Sequence, residues 1–590
     1  MSQTPSPSAD TPPPVPTPRP AASDWGRSAR ETIESIAIAF ALAFLFKTFE
    51  AEAFVIPTGS MAPTLMGRHK DVNCPQCGYR YSASASEEAD RQGNERRAPN
   101  GELDAHWQVI SCTCPICRFP MSVDPQDPAV DRTANKSYSG DRIWVSKVPY
   151  QFSEPRRWDV IVFRFPQEAE TYYIKRLVGL PGEKLKILHG DIYTQRAGES
   201  DFQLARKPAD KVRAMAQVVH DNDYQSPELI KADWPARWRM WSAEDAPGAW
   251  QLSDDMKIYT TDGKNEDETW IRYEHLVPSE QFWRDRYDGR TELVREPRPQ
   301  LITDYYAFNT RVLRQEYGSM PSMLGLHWVG DLILECTLDV KSDQGQIMAD
   351  LVKGGKHFRA TFDVATGTVE LSIDSLPNWK RTGQTALRGP GKHQLMFGNV
   401  DRQLFLWVDD HLVEFNEPAV YDDLDNDRPQ TDEKTGGDLA PLGIGSRGAA
   451  VEVSHLRVLR DIYYIADRSG VLPITDFRDP SSTLPLLRTD ELVEFLSSPG
   501  EWQRRRGGSV FDDRQEVTFE LEPDQFFVLG DNSPFSSDAR FWLGQNFVDR
   551  SLLVGKALFI YWPHPLNLPI PMTNYSLPVV PNVPDMGFIR

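Results

Sequence analysis

Ser60 and Lys175 are the side chains of this sequence best suited to chemistry. Ser60 lies in Phe54-Val-Ile-Pro-Thr-Gly-Ser-Met-Ala-Pro-Thr-Leu65, beside a glycine and between two prolines, just after a short apolar segment. A serine hydroxyl is a weak nucleophile until a base removes its proton, so a second residue must supply that base. Lys175 interrupts the apolar run Tyr172-Tyr-Ile-Lys-Arg-Leu-Val-Gly-Leu-Pro-Gly-Glu183. Burial without a counter-ion disfavours an ammonium there, so the amine can be neutral near pH 7 and accept a proton. The chain has no Gly-x-Ser-x-Gly elbow, no His-Glu-x-x-His and no histidine in a triad phrase near Ser60. His69 and His564 read as surface or loop residues. A second chemical grouping is Cys74-Pro-Gln-Cys77-Gly with Cys114-Pro-Ile-Cys117. Two such knuckles present four thiolates that can surround a tetrahedral Zn²⁺, a structural site because every position is filled. Cys112 is a spare candidate ligand, and two disulfides are the alternative in an oxidising compartment.

Composition limits the setting. A chain of 590 residues holds about three or four domains. Sixty-five basic against 85 acidic side chains give a formal charge of -20, which repels phosphate backbones and argues against nucleic acid as a partner. Anionic lipid headgroups repel it equally, so attachment to a membrane must be hydrophobic. Five of the six cysteines crowd between Cys74 and Cys117, which marks a local site; Cys336 stands in an alternating apolar run and reads as a core thiol.

The elements that carry these residues follow from pattern. Residues 1–24 are proline-rich and form a solvated tail. From Arg30 to Phe49 a helix of roughly 30 Å encloses the apolar run Ile36–Phe46, with Arg30 and Lys47 able to snorkel to opposite headgroup layers. A single retained anchor over 30–49 is expected, against a buried soluble helix or a signal peptide cleaved at Ala51-Glu-Ala53. Arg19, Arg27 and Arg30 before it and Glu50 and Glu52 after it place the amino terminus in the cytoplasm. Gly140–Lys147, Trp158–Phe163 and the Lys175 run read as strands. Between 196 and 515, period-two runs at 332–340, 358–364, 368–373, 403–415 and 451–459 indicate an antiparallel sandwich over about 220–465. Asp409, Asp410 and Trp407 read as a hairpin turn and a core aromatic in preference to a calcium or sugar site.

Several of these phrases resemble those of the bacterial type I signal peptidases. There the nucleophilic serine precedes a methionine just outside the membrane, and the general base lies in Lys-Arg-x-x-Gly-x-Pro-Gly, as Lys175 does here. Gly140-Asp141 and Gly190-Asp191 resemble flanking signatures of the same β fold. Gly530-Asp-Asn-Ser-Pro-Phe-Ser-Ser-Asp-Ala-Arg540 resembles the family's Gly-Asp-Asn…Ser-x-Asp-Ser-Arg segment, with Ala539 replacing a serine and Ser533–Phe535 replacing more polar residues. The resemblance implies a Ser60/Lys175 dyad and an oxyanion hole from the Ser60 N–H and the Thr58 hydroxyl. It further implies that Ser536 hydrogen-bonds the Lys175 amine, Asp538 and Arg540 pair, and Gly530 and Asp531 shape the turn beneath. A mainly β catalytic core would then be split into 50–72, 139–195 and 516–566. A zinc-ribbon-like insertion would occupy 73–138, a concanavalin/laminin-G-like jelly roll would lie within 196–515, and 567–590 would be a tail. The implied activity is cleavage of signal peptides from exported preproteins at a cell membrane, without a catalytic cofactor. The implied partners are the bilayer, the secretion translocon and a glycan or protein on the sandwich. The rival readings are a self-cleaving Ser/Lys peptidase and a non-enzymatic anchored surface protein that binds glycan.

Overall fold

The computed structural model describes residues 30–39 and 51–590, apart from single residues, pairs and the stretches 131–135, 242–248, 291–296, 317–324, 479–488, 503–513 and 570–575. The chain divides into two compact units after Glu52. Of the first, residues 30–39 are helical. The expected anchor continues into 40–49, which, like the 1–24 tail, lies outside the described residues. Among the described residues no helix is long and apolar enough to cross a membrane.

The second unit is mainly β, and one sheet organises it. Its strands in chain order are β1 (Ala51–Val55), β2 (Arg142–Ser146), β3 (Val160–Phe165), β4 (Glu168–Gly179), β5 (Gln525–Leu529), β6 (Val548–Asp549), β7 (Leu553–Trp562) and β8 (Gly587–Phe588). They lie side by side as β1-β2-β7-β3-β4-β5-β6, with β8 pairing β7. Both faces of β3 are buried along Val160–Phe163, which is why it is a nearly continuous apolar run. Ile161 and Phe163 join one core with Leu177 and Val528. Val160 and Val162 join another with Ile56, Met61, Leu65 and Ile143. A four-stranded sheet (Gln203–Leu204, Asp191–Arg196, Glu183–Leu188, Val517–Glu520) supplies Leu185, Ile187 and Phe519 to the first core. The expected C-terminal tail does not trail away. It returns as β8, and the Arg590 carbonyl accepts a bond from Arg176 Nη1 at 3.3 Å.

Two antiparallel sheets share one large core between Gln217 and Arg460. Leu332, Leu334, Cys336, Leu338 and Val340 point inward from one strand, and Ile347, Ala349 and Leu351 from the facing sheet. The alternation follows the pleat, which turns successive side chains to opposite faces. Phe405 and Trp407 lie on the outer face of their strand, stacked at 5.6 Å and covered by the helix Ala209–Met215 through Val212. Asp409 and Asp410 both have positive φ (52° and 64°), as a two-residue hairpin turn requires.

Residues 69–138 form two small hairpins that present matched knuckles. Cys74 and Cys77 lie between His69–Asn73 and Arg80–Ser84, Cys114 and Cys117 between Val109–Thr113 and Pro120–Ser122. In each knuckle the first cysteine's carbonyl accepts from the residue four positions on, Gly78 or Arg118, at 2.9 and 3.1 Å. Both acceptor turns need positive φ, 77° and 58°, so Arg118 fills a conformation that glycine fills in the first. Val312–Leu313 of the long insertion pairs with Val109–Thr113, which joins the two insertions to each other.

Candidate active site

Ser60 stands in a single 3-10 turn, Gly59–Met61, that leaves β1, and it is 7% exposed. Lys175 is carried by β4 and is 4% exposed. Its Nζ lies 2.8 Å from Ser60 Oγ and 3.0 Å from the Ile174 carbonyl oxygen. Burial lowers the Lys175 pKa to about 8, against an upward pull from Asp538 and Asp531. That pull is weak because each carboxylate is engaged by its own arginine. Arg540 Nε donates to Asp538 Oδ1 at 2.8 Å, with both side chains fully buried. Arg176 grips Asp531 with two bonds, Nε to Oδ1 at 2.7 Å and Nη2 to Oδ2 at 2.6 Å.

The nucleophile turn is held from several directions. Asn532 donates its backbone N–H to the Ser60 carbonyl and its Nδ2 to the Gly59 carbonyl, each at 3.1 Å. The Gly59 N–H donates to Ser86 Oγ at 3.2 Å. Asn309, from the long insertion, exchanges bonds with the Asn532 side chain at 2.7 and 2.8 Å. Phe308 presses on the turn so closely that a Cβ on Gly59 would lie 2.3 Å from its ring. Gly530 has the same constraint on the other side, where a Cβ would lie 2.1 Å from Ser536 Oγ and 2.4 Å from the Ser60 carbonyl oxygen.

The expected bond from Ser536 to the lysine amine is absent. The Ser536 hydroxyl is buried and has no hydrogen-bond partner, while the amine contacts Ser60 Oγ and the Ile174 carbonyl. Thr58 is exposed in extended backbone and makes no capping bond. His69 and His564, expected at the surface, are 1% and 7% exposed. Burial is possible because each imidazole finds polar partners across the chain. Arg176, Asn532, Asn309 and Ser86 were not assigned roles from sequence. The first two sit inside the phrases quoted above, whereas Asn309 and Ser86 carry no local signal.

The sulfur atoms of Cys74, Cys77, Cys114 and Cys117 gather within 4.8 Å of one another. Cys74–Cys117 and Cys77–Cys114 are separated by 3.5 and 3.6 Å. Four sulfurs around Zn²⁺ at ~2.3 Å stand about 3.8 Å apart, whereas a disulfide holds its sulfurs at ~2.05 Å. The residues present therefore fit a tetrahedral metal. Cys112 is not a fifth ligand; it faces the Tyr81 hydroxyl at 3.3 Å, and burial pushes its thiol up to about 11.

The family described as signal peptidase, peptidase S26, matches residues 129–232 and 497–562. Signal peptidase I of Rickettsia bellii is 54% identical over 39 residues, 7% of this chain and 14% of that enzyme. The enzyme of Rickettsia typhi is 50% identical over 40 residues, 7% and 15% of the two chains. The chain thus spans only about one seventh of the length of these relatives. A carbohydrate-binding module of Bacillus subtilis is 10% identical over 38% of this chain and 95% of that one, with a TM-score of 0.21. The segments matched by that family include β4 and the Gly530–Arg540 turn, and over them the chain is similar to the signal peptidases.

Proposed function

We propose that the protein is a membrane-anchored serine endopeptidase that removes N-terminal signal peptides from exported preproteins. The observation that carries this reading is the 2.8 Å separation of Ser60 Oγ from a buried amine whose pKa lies near 8. Such an amine is neutral in a useful fraction of molecules at physiological pH, and it is already in contact with the hydroxyl it must deprotonate.

Lys175 Nζ takes the Ser60 proton as Oγ attacks the scissile carbonyl. The oxyanion is held by the Ser60 N–H and the Thr58 hydroxyl, which no capping bond commits elsewhere. The ammonium then gives its proton to the leaving amine, and Ser536 offers it an uncommitted acceptor in the meantime. Water, deprotonated by the same amine, hydrolyses the acyl-enzyme. These steps use groups of the protein and water. The substrate lies extended along the outer edge of β1, which ends the sheet among the described residues, and gains main-chain hydrogen bonds there. Small pockets admit Ala-like side chains one and three residues before the cut. The segment 30–49 anchors the chain and keeps Ser60 close to the bilayer surface. The four-cysteine cluster binds a structural Zn²⁺ that takes no part in these steps.

The test is processing of a secreted preprotein, read as a mobility shift, by wild type, Ser60→Ala and Lys175→Ala. Both variants are expected to leave the precursor uncut. Equal processing by wild type and Ser60→Ala refutes the peptidase reading.

A further inference from the structure

A second polar cluster lies where the strand His69–Asn73 meets the end of β7. The ligating atoms of His69, Asp71 and His564 fall within 4.8 Å of one another. Their proton inventory is constrained. His69 Nδ1 is 2.6 Å from the Gly67 carbonyl oxygen, which only accepts, so Nδ1 carries a hydrogen. His564 Nε2 lies 2.6 Å from Asp71 Oδ2 and 3.4 Å from Arg80 Nη2.

The His69 Nε2 lone pair is therefore bare, and it faces His564 Nδ1 at 3.3 Å. A hydrogen bond or a metal ion can bridge nitrogens at that spacing. A zinc-class ion bound by nitrogen at ~2.0–2.1 Å sets its ligands about 3.3 Å apart in a tetrahedron. Asp71 Oδ1 stands 3.6 Å from His69 Nε2 and completes a third corner. Ser82 Oγ donates to Oδ1 at 3.0 Å, and Arg80 holds Oδ2. The outer bond to the Gly67 carbonyl orients the His69 ring, as partners of metal-bound histidines do.

We propose that His69, Asp71 and His564 form a second metal site, a nitrogen-and-oxygen site for a divalent cation of the zinc class, separate from the four cysteines. It ties the end of β7 to the segment behind the nucleophile. Gly67, whose carbonyl His69 holds, packs so closely on Thr58 that a Cβ would lie 2.1 Å from the Thr58 backbone. The site is independent of the dyad chemistry, so its failure and failure of the peptidase reading are separable.

The test uses the full chain, purified without chelator and equilibrated with zinc alone. Wild type should hold about two zinc ions per chain, with X-ray absorption resolving a sulfur shell at ~2.3 Å and a separate nitrogen/oxygen shell at ~2.0–2.1 Å. Cys77→Ser should keep the nitrogen/oxygen shell, and His564→Asn should lose it while keeping the sulfur shell. The wild-type spectrum needs no variant to fold. A single zinc with sulfur ligands only overturns the proposal, as does wild-type metal content in His564→Asn. A proton resonance shared between the two rings in zinc-saturated protein overturns it in favour of an imidazole–imidazolium pair.

Discussion

Lys175→Met should abolish cleavage and yet leave the protein at least as stable near neutral pH. The amine falls from its ordinary value of 10.5 to about 8 because it is buried. At ~1.4 kcal/mol for each tenfold change in proton affinity, holding the ammonium there costs about 3 kcal/mol. Methionine fills the same space without charge but forfeits the contacts to Ser60 Oγ and the Ile174 carbonyl, about 1 kcal/mol each. The variant should therefore be about 1 kcal/mol more stable at pH 7. The sign reverses with pH. Below about 8 the lysine is protonated in both folded and unfolded chains, and the folded state bears the whole penalty. Between about 8 and 10.5 the unfolded chain keeps a proton that the folded chain has lost, so wild-type stability rises with pH. Near pH 10 the variant should be the less stable of the two. Urea unfolding of both proteins across this range measures the gap, while kcat/KM of wild type should rise with an apparent pKa near 8. A gap that stays constant with pH would mean an ordinary, paired lysine and would refute its assignment as base.

Asp531→Asn should destabilise by about 3–5 kcal/mol in denaturant unfolding, because it strands the fully buried Arg176 guanidinium. Asn309→Ala removes the reciprocal amide pair that steadies Asn532, and should lower kcat/KM by roughly tenfold and destabilise by about 1–3 kcal/mol in denaturant unfolding; unchanged kinetics would separate the insertion from catalysis. Deleting residues 220–465 should abolish cleavage even of a short peptide. Lys207 of the flanking segment is buried in ion pairs with Asp401 and Asp461, and deletion removes both Asp401 and Asp461 as well as Asn309.

Much of the catalytic sheet was legible because its strands announce themselves locally. A polar residue inside a run such as Tyr173-Ile-Lys175-Arg-Leu is conspicuous, and burial of that lysine follows from its neighbours in sequence. The paired knuckles were equally plain, since ligand spacing is itself a local property. What could not be read were contacts made by single polar residues between distant segments. Asn309 and Asn532 are 223 residues apart and leave no period in either stretch. His69 and His564, 495 residues apart, look like surface histidines until each is given the other as neighbour. The Ser536 expectation failed for a different reason. A phrase fixes which turn carries the serine, but a hydroxyl rotor and the competing Ile174 carbonyl decide where the amine's bonds go.

The arrangement around the nucleophile also orders events in time. Ser60 is synthesised early, its base follows, and the amide of Asn532 that fastens its turn is 473 residues further along the chain than Gly59. Closing so long a loop waits on everything between, and both insertions must fold before Ser86 and Asn309 reach the turn. A nascent chain lacking its last tenth thus carries a serine with no rigid seat. Chains truncated before residue 516 should be proteolytically silent, which would spare the protein's own leading segment, Ala51-Glu-Ala53 included, from attack during its own biogenesis.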